Sequence, residues 1–371
     1  MKIVFWQSYL AFHQAAYIRE LSETPGFDVY WAVSEALPDH FRRMGYPLPN
    51  VGRAKVVVNP SDLEMDKLLA PDCVQTVHVF LGFRGMALSA KAFHRSKRWD
   101  VLRIVMSENR YEAGWKLFPR WCVYVYDAAM QRKWIDGLLC IGFLGPRGGR
   151  NWFRFCGYAD KKIFPFLYPI DAYADESSLP IKMKLNLIFV GQLIRRKGLD
   201  VLLQALARIK DIPWHLSVIG SGPENSALQS MVKKFGLNRN IVFLENMENK
   251  KVSTRISDSG ILVLPSRFDG WGAVVSEAMV AGTPVICSDR CGASDIVAGS
   301  GFGYVFRSGD VKDLESGIRL TYSQMNQIDL RDRLKLWSSR IQGKFAAQYF
   351  LEVVLHLRDG GPRPQAFWLL R

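Results

Sequence analysis

Short apolar runs alternate with longer helical patterns throughout the second half of the chain. Each run has the length of a strand that is buried on both faces, and segments such as 199–209 and 226–235 carry apolar residues at helical spacing. Strands that alternate with helices predict an α/β fold with a doubly wound parallel sheet. The predicted strands of this half are 185–190, 215–219, 240–244, 261–264, 284–288 and 303–306.

The first half shows the same alternation less regularly, with strands predicted at 2–6, 27–33, 75–81 and 101–106. Open α/β sheets bind their ligands at the carboxyl ends of the strands. Four polar side chains near such ends are therefore candidate ligand contacts, although each is also compatible with a purely structural loop. They are His13, Arg84, Glu108 and Arg110.

The polar segment 172–184, acidic and then basic and containing a proline, is typical of a linker. With 371 residues the chain is also too long for one ordinary core. We therefore predict a first domain at 1–171, a second domain at 185–330, and a C-terminal segment of helices and tail at 331–371.

One stretch of the second half combines a strand at 261–264 with a glycine-flanked turn and a helix. Such a turn places free backbone N–H groups at the edge of a parallel sheet, where anionic ligands bind. Asp269 precedes the helix and Glu277 lies about two turns along it. A helix-capping aspartate beside a solvated glutamate is the structural alternative. The turn residues are Gly270, Trp271 and Gly272.

A cationic loop from Gly191 to Gly198 follows the first strand of the second half and opens a helix. Glycine lets the backbone approach a diphosphate, and a helix N-terminus repels cations unless an anion lies between them. The loop therefore predicts a phosphate site. A second glycine turn, which contains Gly222, ends the next strand and lies at the same edge of the sheet. The basic residues of the loop are Arg195, Arg196 and Lys197.

Taken in the order in which they occur along the chain, the three motifs resemble the signature of the retaining glycosyltransferases of group 1 (family 4). The turn and helix are similar to a pattern close to E-G-F/W-G-x-x-x-x-E-A, with Asp269 in place of the first glutamate. The cationic loop is similar to G-R-L-x-x-x-K-G, with Gln192 in place of the arginine. The segment 220–224 is similar to the G-x-G-P-E turn of these enzymes.

The resemblance implies a role for individual residues. Asp269 would orient the donor sugar and Glu277 would bind the ribose of the nucleotide. Lys197, with Arg196 or Arg195, would hold the diphosphate and would replace a metal ion. The other donor-side contacts that the resemblance implies are Gly191, Gln192, Gly222, Gly270, Trp271 and Gly272.

The resemblance also implies a fold and a reaction. The fold is the GT-B architecture, in which two Rossmann-like domains face each other across a cleft and the C-terminal helix packs back on the first domain. The reaction transfers a sugar, with retention of configuration, from a UDP- or GDP-sugar to a glycan or lipid-linked acceptor in surface polysaccharide or glycolipid synthesis. The four polar residues of the first half would face the acceptor, and neither a metal nor a further cofactor is expected.

The net charge of +14 is concentrated in one part of the chain. Residues 84–162 carry sixteen Lys and Arg against six Asp and Glu, together with five of the eleven tryptophans, whereas residues 1–83 carry seven against nine. Basic residues interleaved with indole rings favour an anionic membrane surface as a partner. Single-stranded nucleic acid and a solvated basic face are the alternatives.

The cellular compartment is predicted from the cysteines and from the length of the apolar runs. The six cysteines lack the spacing of a zinc site, which indicates reduced thiols. No apolar run reaches the ~18–20 residues of a membrane span. We therefore expect a cytoplasmic protein that is peripheral at the inner face of the cytoplasmic membrane.

Two other classes of function remain open at this level. A nucleotide-sugar epimerase or a phosphorylase could use the same fold. The first would act on the donor without an acceptor, and the second would need phosphate or a cofactor lysine. A non-catalytic protein that binds sugar or nucleic acid would be compatible with Gln192, with Asp269 and with the basic charge.

Overall fold

The computed structural model describes residues 1–43, 47–71, 75–82, 84, 86–108, 117–142, 149–171, 185–244, 247–325 and 329–369. Contacts between these residues divide the chain into two units. The first unit holds Met1–Arg43, Pro47–Ile170 and Ile341–Phe367, and the second holds Asp171–Arg340 with residues 368–369. The predicted linker at 172–184 lies outside the described residues.

The first unit is built on a parallel sheet in the order β3-β2-β1-β4-β5-β6-β7. The direction of winding reverses between β1 and β4, which are neighbours, so the carboxyl ends of these two strands form a topological switch point. The strands are β1 (Lys2–Gln7), β2 (Asp28–Val33), β3 (Lys55–Val58), β4 (Thr76–Leu81), β5 (Leu102–Glu108), β6 (Gly137–Ile141) and β7 (Ile163–Phe166). The helices between them are α1 (Phe12–Glu23), α2 (Asp39–Arg43), α3 (Asp62–Leu69), α4 (Ala87–Ser96), α5 (Leu117–Gln131) and α6 (Gly149–Phe155).

The second unit repeats this design with a parallel sheet in the order β10-β9-β8-β11-β12-β13. Its switch point lies between the neighbouring strands β8 and β11. The strands are β8 (Leu185–Val190), β9 (Trp214–Ile219), β10 (Ile241–Leu244), β11 (Ile261–Leu264), β12 (Val285–Ser288) and β13 (Gly303–Phe306). The helices are α7 (Leu199–Arg208), α8 (Asn225–Lys234), α9 (Asn249–Ser257), α10 (Ala273–Val280), α11 (Ser294–Ser300), α12 (Val311–Gln324) and α13 (Leu330–Ser338).

The predicted fold class, α/β with two Rossmann-like domains, is confirmed. In the second unit, the predicted strands agree with β8 to β13 to within one residue at either end. In the first unit, β3, β6 and β7 were not predicted. Strand β3 lies at one edge of the sheet and has exposed Val56 and Val58. Strand β7 lies at the other edge and contains Pro165. An edge strand tolerates proline because its outer side has no neighbouring strand to which a backbone N–H must donate.

The last helix, α14 (Gly343–Asp359), belongs to the first unit, whereas α13 belongs to the second. Helix α14 packs on α1 so closely that a Cβ added to Gly343 would lie 2.7 Å from the backbone of Ala16. Beyond the helix, the Arg363 guanidinium donates to the carbonyl of Asp160 at 3.1 Å and to that of Ile163. Among the described residues, no helix has the length and apolarity that crossing a membrane requires.

Candidate functional site

Two loops meet at the switch point of the second sheet. The first runs from the end of β8 to the start of α7, and the second from the end of β11 to the start of α10. The backbone N–H of Arg267 donates to the carbonyl of Arg196 at 2.8 Å. Gly198 has a φ of +68°, and a Cβ added to it would lie 2.0 Å from the carbonyl oxygen of Pro265. Glycine is therefore required at this position, both for its backbone conformation and for the close approach of the loops.

Charged side chains of the two loops form a cluster at this point. The Lys197 Nζ donates to Oδ2 of Asp269 at 2.6 Å, and Nη1 of Arg196 lies 3.7 Å from Oδ1 of the same carboxylate. The Ser266 hydroxyl also donates to Oδ2 at 3.2 Å. We call Lys197, Arg196 and Asp269 the cation–carboxylate cluster. It combines the residues that the sequence assigns to the diphosphate with the residue assigned to the donor sugar.

The two arginines that the sequence left as alternatives differ in their surroundings. Arg196 donates to the carbonyl of Phe268 at 2.9 Å, which holds its guanidinium beside Asp269. The Arg195 side chain is exposed, and it makes no hydrogen bond or ion pair with another residue in the described part of the chain. The structure therefore brings Arg196, rather than Arg195, to the carboxylate.

The backbone of Asp269 is fixed from the neighbouring strand end. Its N–H donates to the carbonyl of Arg290 at 3.0 Å, and its carbonyl accepts from the N–H of Gly292 at 3.0 Å. A Cβ added to Gly292 would lie 1.9 Å from the carbonyl oxygen of Gly270, so Gly270 sits in close backbone contact. These contacts hold the carboxylate without using its side-chain oxygens.

The glycine turn after β9 supports the cationic loop. The Leu193 N–H donates to the carbonyl of Ser221 at 2.8 Å, and a Cβ added to Gly222 would lie 2.4 Å from the Leu193 carbonyl oxygen. A Cβ added to Gly220 would likewise lie 2.1 Å from the Gly191 carbonyl oxygen. Gly220 and Gly222 thus allow the backbone of this turn to pack closely on Gly191 and Leu193, while the Gln192 side chain is exposed at the same edge.

Helix α10 starts at Gly272, which has a φ of +84° and lies against Cys291. Trp271 was predicted to contact the donor, but its side chain is buried and its indole N–H donates to the hydroxyl of Ser276 at 3.0 Å. Trp271 therefore braces the start of the helix from the inside. This position could not be recognised from the turn motif alone.

Glu277 is the fifth residue of α10 and is half-buried. Burial raises the pKa of its carboxyl group from the usual 4.5 to about 7. Its carboxylate has no hydrogen-bond or ion-pair partner among the residues that the structure describes. A partly buried carboxylate without a partner is costly to the free protein, and it can accept hydrogen bonds from a hydroxyl-bearing ligand.

Sequence reasoning missed a second ion pair beside the cluster. Arg267 forms a bidentate ion pair with Asp200 in the first turn of α7, with N–O distances of 2.7 and 2.6 Å. Arg267 also donates to the carbonyl of Arg195 at 2.8 Å, so it ties the two loops together. The sequence signal was present, because Asp200 stands at a helix N-terminus where a carboxylate is favoured.

The first unit holds a cavity of about 460 Å³ at its own switch point. We call it the first-unit cavity. Its walls come mainly from the segments that follow β1 and β4, from the end of β5, from α5 and from Tyr168 beyond β7. His13, Arg84 and Glu108, three of the four polar residues predicted to face a ligand, line it together. The fourth, Arg110, lies outside the described residues.

Polar groups of the first-unit cavity are paired with one another. The Tyr168 hydroxyl donates to Glu108, and its ring lies 3.8 Å from the His13 ring. Burial lowers the pKa of His13 to about 4, so this imidazole is neutral at pH 7. Arg84 forms a bidentate ion pair with Asp127 at 2.7 and 2.5 Å. Sequence reasoning did not single out Tyr168 or Asp127, because both lie outside the strand-end motifs.

No group of three or more His, Cys, Asp or Glu residues that could hold a metal ion is found among the described residues. The cysteines described by the structure are free thiols, of which Cys122 is exposed. The others, Cys140, Cys156, Cys287 and Cys291, are buried.

Two doubly wound parallel sheets in one chain define the GT-B fold, and the cationic glycine loop meets Asp269 at the second switch point. Residues 174–335 match the family model described as "Glycosyl transferases group 1". The predicted resemblance to group 1 glycosyltransferases is therefore confirmed for this segment, which is somewhat less than half of the chain.

Similar proteins agree with this assignment. A GDP-mannose-dependent alpha-(1-6)-phosphatidylinositol monomannoside mannosyltransferase of Mycolicibacterium smegmatis is 24% identical over 333 residues, which cover 84% of each chain. The crystal structure of Anabaena HepE in complex with UDP has a TM-score of 0.70 at 13% identity, and the match covers 95% of this chain and 99% of that one. The lipopolysaccharide outer core galactosyltransferase WaaB has a TM-score of 0.66 at 16% identity, over 96% and 99% of the two chains.

The raised pKa of Glu277 predicts that this residue destabilises the free protein above neutral pH. A shift from 4.5 to about 7 corresponds to roughly 3 kcal/mol at 1.36 kcal/mol per unit. The folded state favours the protonated acid, so the cost is absent below pH 4.5, grows between pH 4.5 and 7, and is complete above pH 7. Glu277→Gln should therefore raise the melting temperature at pH 8 and leave it unchanged near pH 4.

Thermal unfolding at both pH values measures this effect. Glu248→Gln is the matched control, because the Glu248 side chain is 66% exposed in the same unit and should change little at either pH. An equal shift for Glu277→Gln at pH 4 and pH 8, or none at pH 8, would contradict the assignment.

Proposed function

We propose that the protein is a retaining glycosyltransferase that moves a sugar from a UDP- or GDP-sugar to a glycan or lipid-linked acceptor, in the synthesis of a surface polysaccharide or glycolipid. The observation that carries the proposal is the cation–carboxylate cluster at the switch point of the second sheet. Named relatives support the donor class, since one uses GDP-mannose and one structural neighbour binds UDP.

The cluster suits the diphosphate of such a donor. In the free protein, Lys197 and Arg196 are drawn toward one carboxylate, and their side chains are 15% and 42% exposed. A diphosphate beside them would supply further negative charge to a loop in which two cations share the single carboxylate of Asp269. Asp269 would keep its contact with Lys197 through one oxygen and turn the other toward the sugar hydroxyls.

The positive charges of the cluster would accelerate the proposed sugar transfer. When the bond between the anomeric carbon and the β-phosphate oxygen breaks, negative charge grows on the phosphate. Fixed cations there stabilise the transition state more than the ground state, which lowers the barrier. The acceptor oxygen forms its bond to the anomeric carbon on the same face, and the departing phosphate takes the acceptor's proton. This course retains the configuration and needs no protein nucleophile.

Glu277 is suited to the ribose. A ribose presents two neighbouring hydroxyl donors, and an ionised carboxylate can accept both. Binding would give the half-buried carboxylate the partners that it lacks in the free protein. The nucleotide would therefore bind most tightly to the ionised form, although burial disfavours that form.

The first-unit cavity is the proposed acceptor site. It combines apolar walls with the Glu108–Tyr168 and Arg84–Asp127 pairs and with a neutral His13. Such a mixture suits a hydroxyl-bearing acceptor that also carries an apolar part. We further propose an anionic membrane surface as the place where a lipid-linked acceptor is met.

Substitutions at the two carboxylates should have different effects. Asp269→Asn should lower kcat by about 10²-fold or more if it acts like other lost transition-state contacts. Glu277→Gln should chiefly raise the Kd of UDP or GDP. In the wild type, that Kd should also rise toward tenfold per pH unit below pH 7, and this pH dependence should be weaker in Glu277→Gln.

Steady-state kinetics and calorimetric titration with nucleotide measure these effects. Asp258→Asn, on the exposed end of α9, is the control and should resemble the wild type. Wild-type kcat in Asp269→Asn, in a protein that melts normally, would refute the assigned donor site.

Substitutions of the neighbouring Arg195 and Arg196 provide a matched test of which side chain holds the diphosphate. Lys197→Ala should lower turnover by about 10²–10³-fold. Arg196→Ala should lower it clearly, whereas Arg195→Ala should have little effect because its side chain does not reach the carboxylate. Comparing kcat of the three variants shows which of the two arginines contacts the diphosphate. A larger loss for Arg195→Ala than for Arg196→Ala would show that the donor recruits the exposed arginine instead.

Transfer should continue in excess chelator, because Lys197 and Arg196 supply the positive charge beside the diphosphate. The measurement is the initial rate with and without EDTA, followed by added Mg²⁺ or Mn²⁺. Rates should agree within about twofold. Complete loss with EDTA and full recovery with either ion would overturn the metal-independent mechanism.

A further inference from the structure

Helix α5 presents an unusual surface to solvent. A helix on the surface of a globular protein normally carries charged and polar residues on its exposed side. In α5, by contrast, Phe118 is 66% exposed, Tyr126 is 59% exposed and Met130 is 51% exposed. The other exposed side chains described in this helix are also uncharged, namely Pro119, Cys122, Val123 and Ala129.

Aromatic rings of α6 extend this surface. Phe155, which is 62% exposed, lies 5.2 Å from the ring of Trp121 in α5. Trp121 in turn lies 5.9 Å from Phe118, so rings from the two helices form one continuous patch. We call Phe118, Tyr126, Met130 and Phe155, with the half-buried Trp121 beneath them, the aromatic face.

Basic side chains border the aromatic face. Arg132 and Lys133 follow α5 directly and are exposed. Arg150 and Arg154 lie on α6 with exposures of 45% and 55%, and they share the single carboxylate of Asp160. The border therefore carries a positive charge that the protein does not fully neutralise.

Helix α4 of the same unit does not offer the same combination among its described residues. In α4, Arg95 pairs with Asp66, and Lys91 pairs with Asp62. The carboxylate of Asp127 in α5 is buried and is held by Arg84. Unneutralised basic charge and exposed apolar rings therefore coincide at α5 and α6.

We infer that the aromatic face docks into the headgroup layer of an anionic membrane, with the basic border contacting lipid phosphates. Large aromatic side chains favour the interface between water and lipid, and each Lys or Arg near it adds attraction to anionic lipids. Charge complementarity favours a lipid surface over a second copy of the chain, since a second copy would bring the same positive border against itself.

Helix α5 also connects this surface to the first-unit cavity. Val123, Tyr124 and Asp127 line the cavity, while Phe118, Tyr126 and Met130 face solvent. On the proposed function, on which this step alone rests, a lipid-linked acceptor could enter the cavity without leaving the membrane interface. The docking itself does not depend on the identity of the donor or acceptor.

Co-sedimentation with vesicles tests the inference. The vesicles contain phosphatidylcholine alone or phosphatidylcholine with phosphatidylglycerol, each at low and high salt. The wild type should partition at least tenfold more strongly onto the anionic vesicles at low salt. A Phe118→Ser/Tyr126→Ser/Phe155→Ser variant should lose about tenfold at both salt concentrations, because its loss is apolar. Arg132→Glu/Lys133→Glu should lose mainly at low salt, because charge attraction is screened within a Debye length of ~8 Å at physiological ionic strength.

Leu63→Ser is the matched control, since Leu63 is 66% exposed on α3 of the same unit. The control should bind vesicles like the wild type. Turnover of the nucleotide sugar without vesicles should be the same in all of these variants, which separates a failure of docking from a failure of the proposed reaction.

A fluorescent label shows whether the aromatic face itself enters the interface. In a Cys73→Ser background, Cys122 is the exposed thiol of the described chain and lies on α5. An NBD label there should brighten and shift to the blue with anionic vesicles, whereas a label on Leu336→Cys, in a background that also lacks Cys122, should not.

Three results would overturn the inference. They are vesicle binding by the serine variant equal to that of the wild type, no binding by the wild type, and self-association of the wild type that the serine variant abolishes. The last result, seen by sedimentation velocity, would assign the aromatic face to a second copy of the chain.

Discussion

The close approach of two loops at the second switch point is the constraint on which the candidate site depends. Gly198 lies so near the Pro265 carbonyl that only glycine fits, and this approach brings Lys197 within 2.6 Å of Asp269. Both charges are largely buried, so loss of Asp269 would leave the Lys197 ammonium uncompensated, whereas loss of Lys197 would leave Asp269 with Arg196 and the Ser266 hydroxyl. The ion pair is therefore formed before any ligand arrives, and an anionic ligand would share an existing arrangement instead of creating one.

The two carboxylates of the site are held in opposite ways. Asp269 accepts hydrogen bonds from Lys197 and Ser266, whereas Glu277 has no partner among the described residues and has a pKa raised to about 7. The turn after β11 and helix α10 thus present one carboxylate that is stabilised in the free protein and one that is not. Stability is lost at Glu277, and that loss is the expected cost of a group kept ready for hydroxyl donors.

The sequence could predict the second sheet because its strands form short apolar runs that alternate with clear helical patterns. In the first unit, β3 is an edge strand with exposed valines and β7 contains a proline, so both patterns are weaker, whereas the fully buried β6 was missed although its sequence is apolar. Motif spacing predicted Lys197 and Asp269 as candidate site residues. Their direct contact depends on β8 and β11 being neighbours, which no local pattern encodes. Trp271 also shows that a motif does not reveal burial, because its side chain lies inside the protein.

Composition and placement also give different information about the first unit. The tryptophans drew attention to its basic segment, yet those that the structure describes are half-buried, and the exposed rings belong to Phe118, Tyr126 and Phe155. Only the burial of individual side chains distinguishes these two groups. Helix α5 uses its inner side to line a cavity with paired polar groups and its outer side to expose apolar rings. An outer side of this kind is unfavourable in water, and together with its basic border it suits the anionic membrane surface that we propose as its partner.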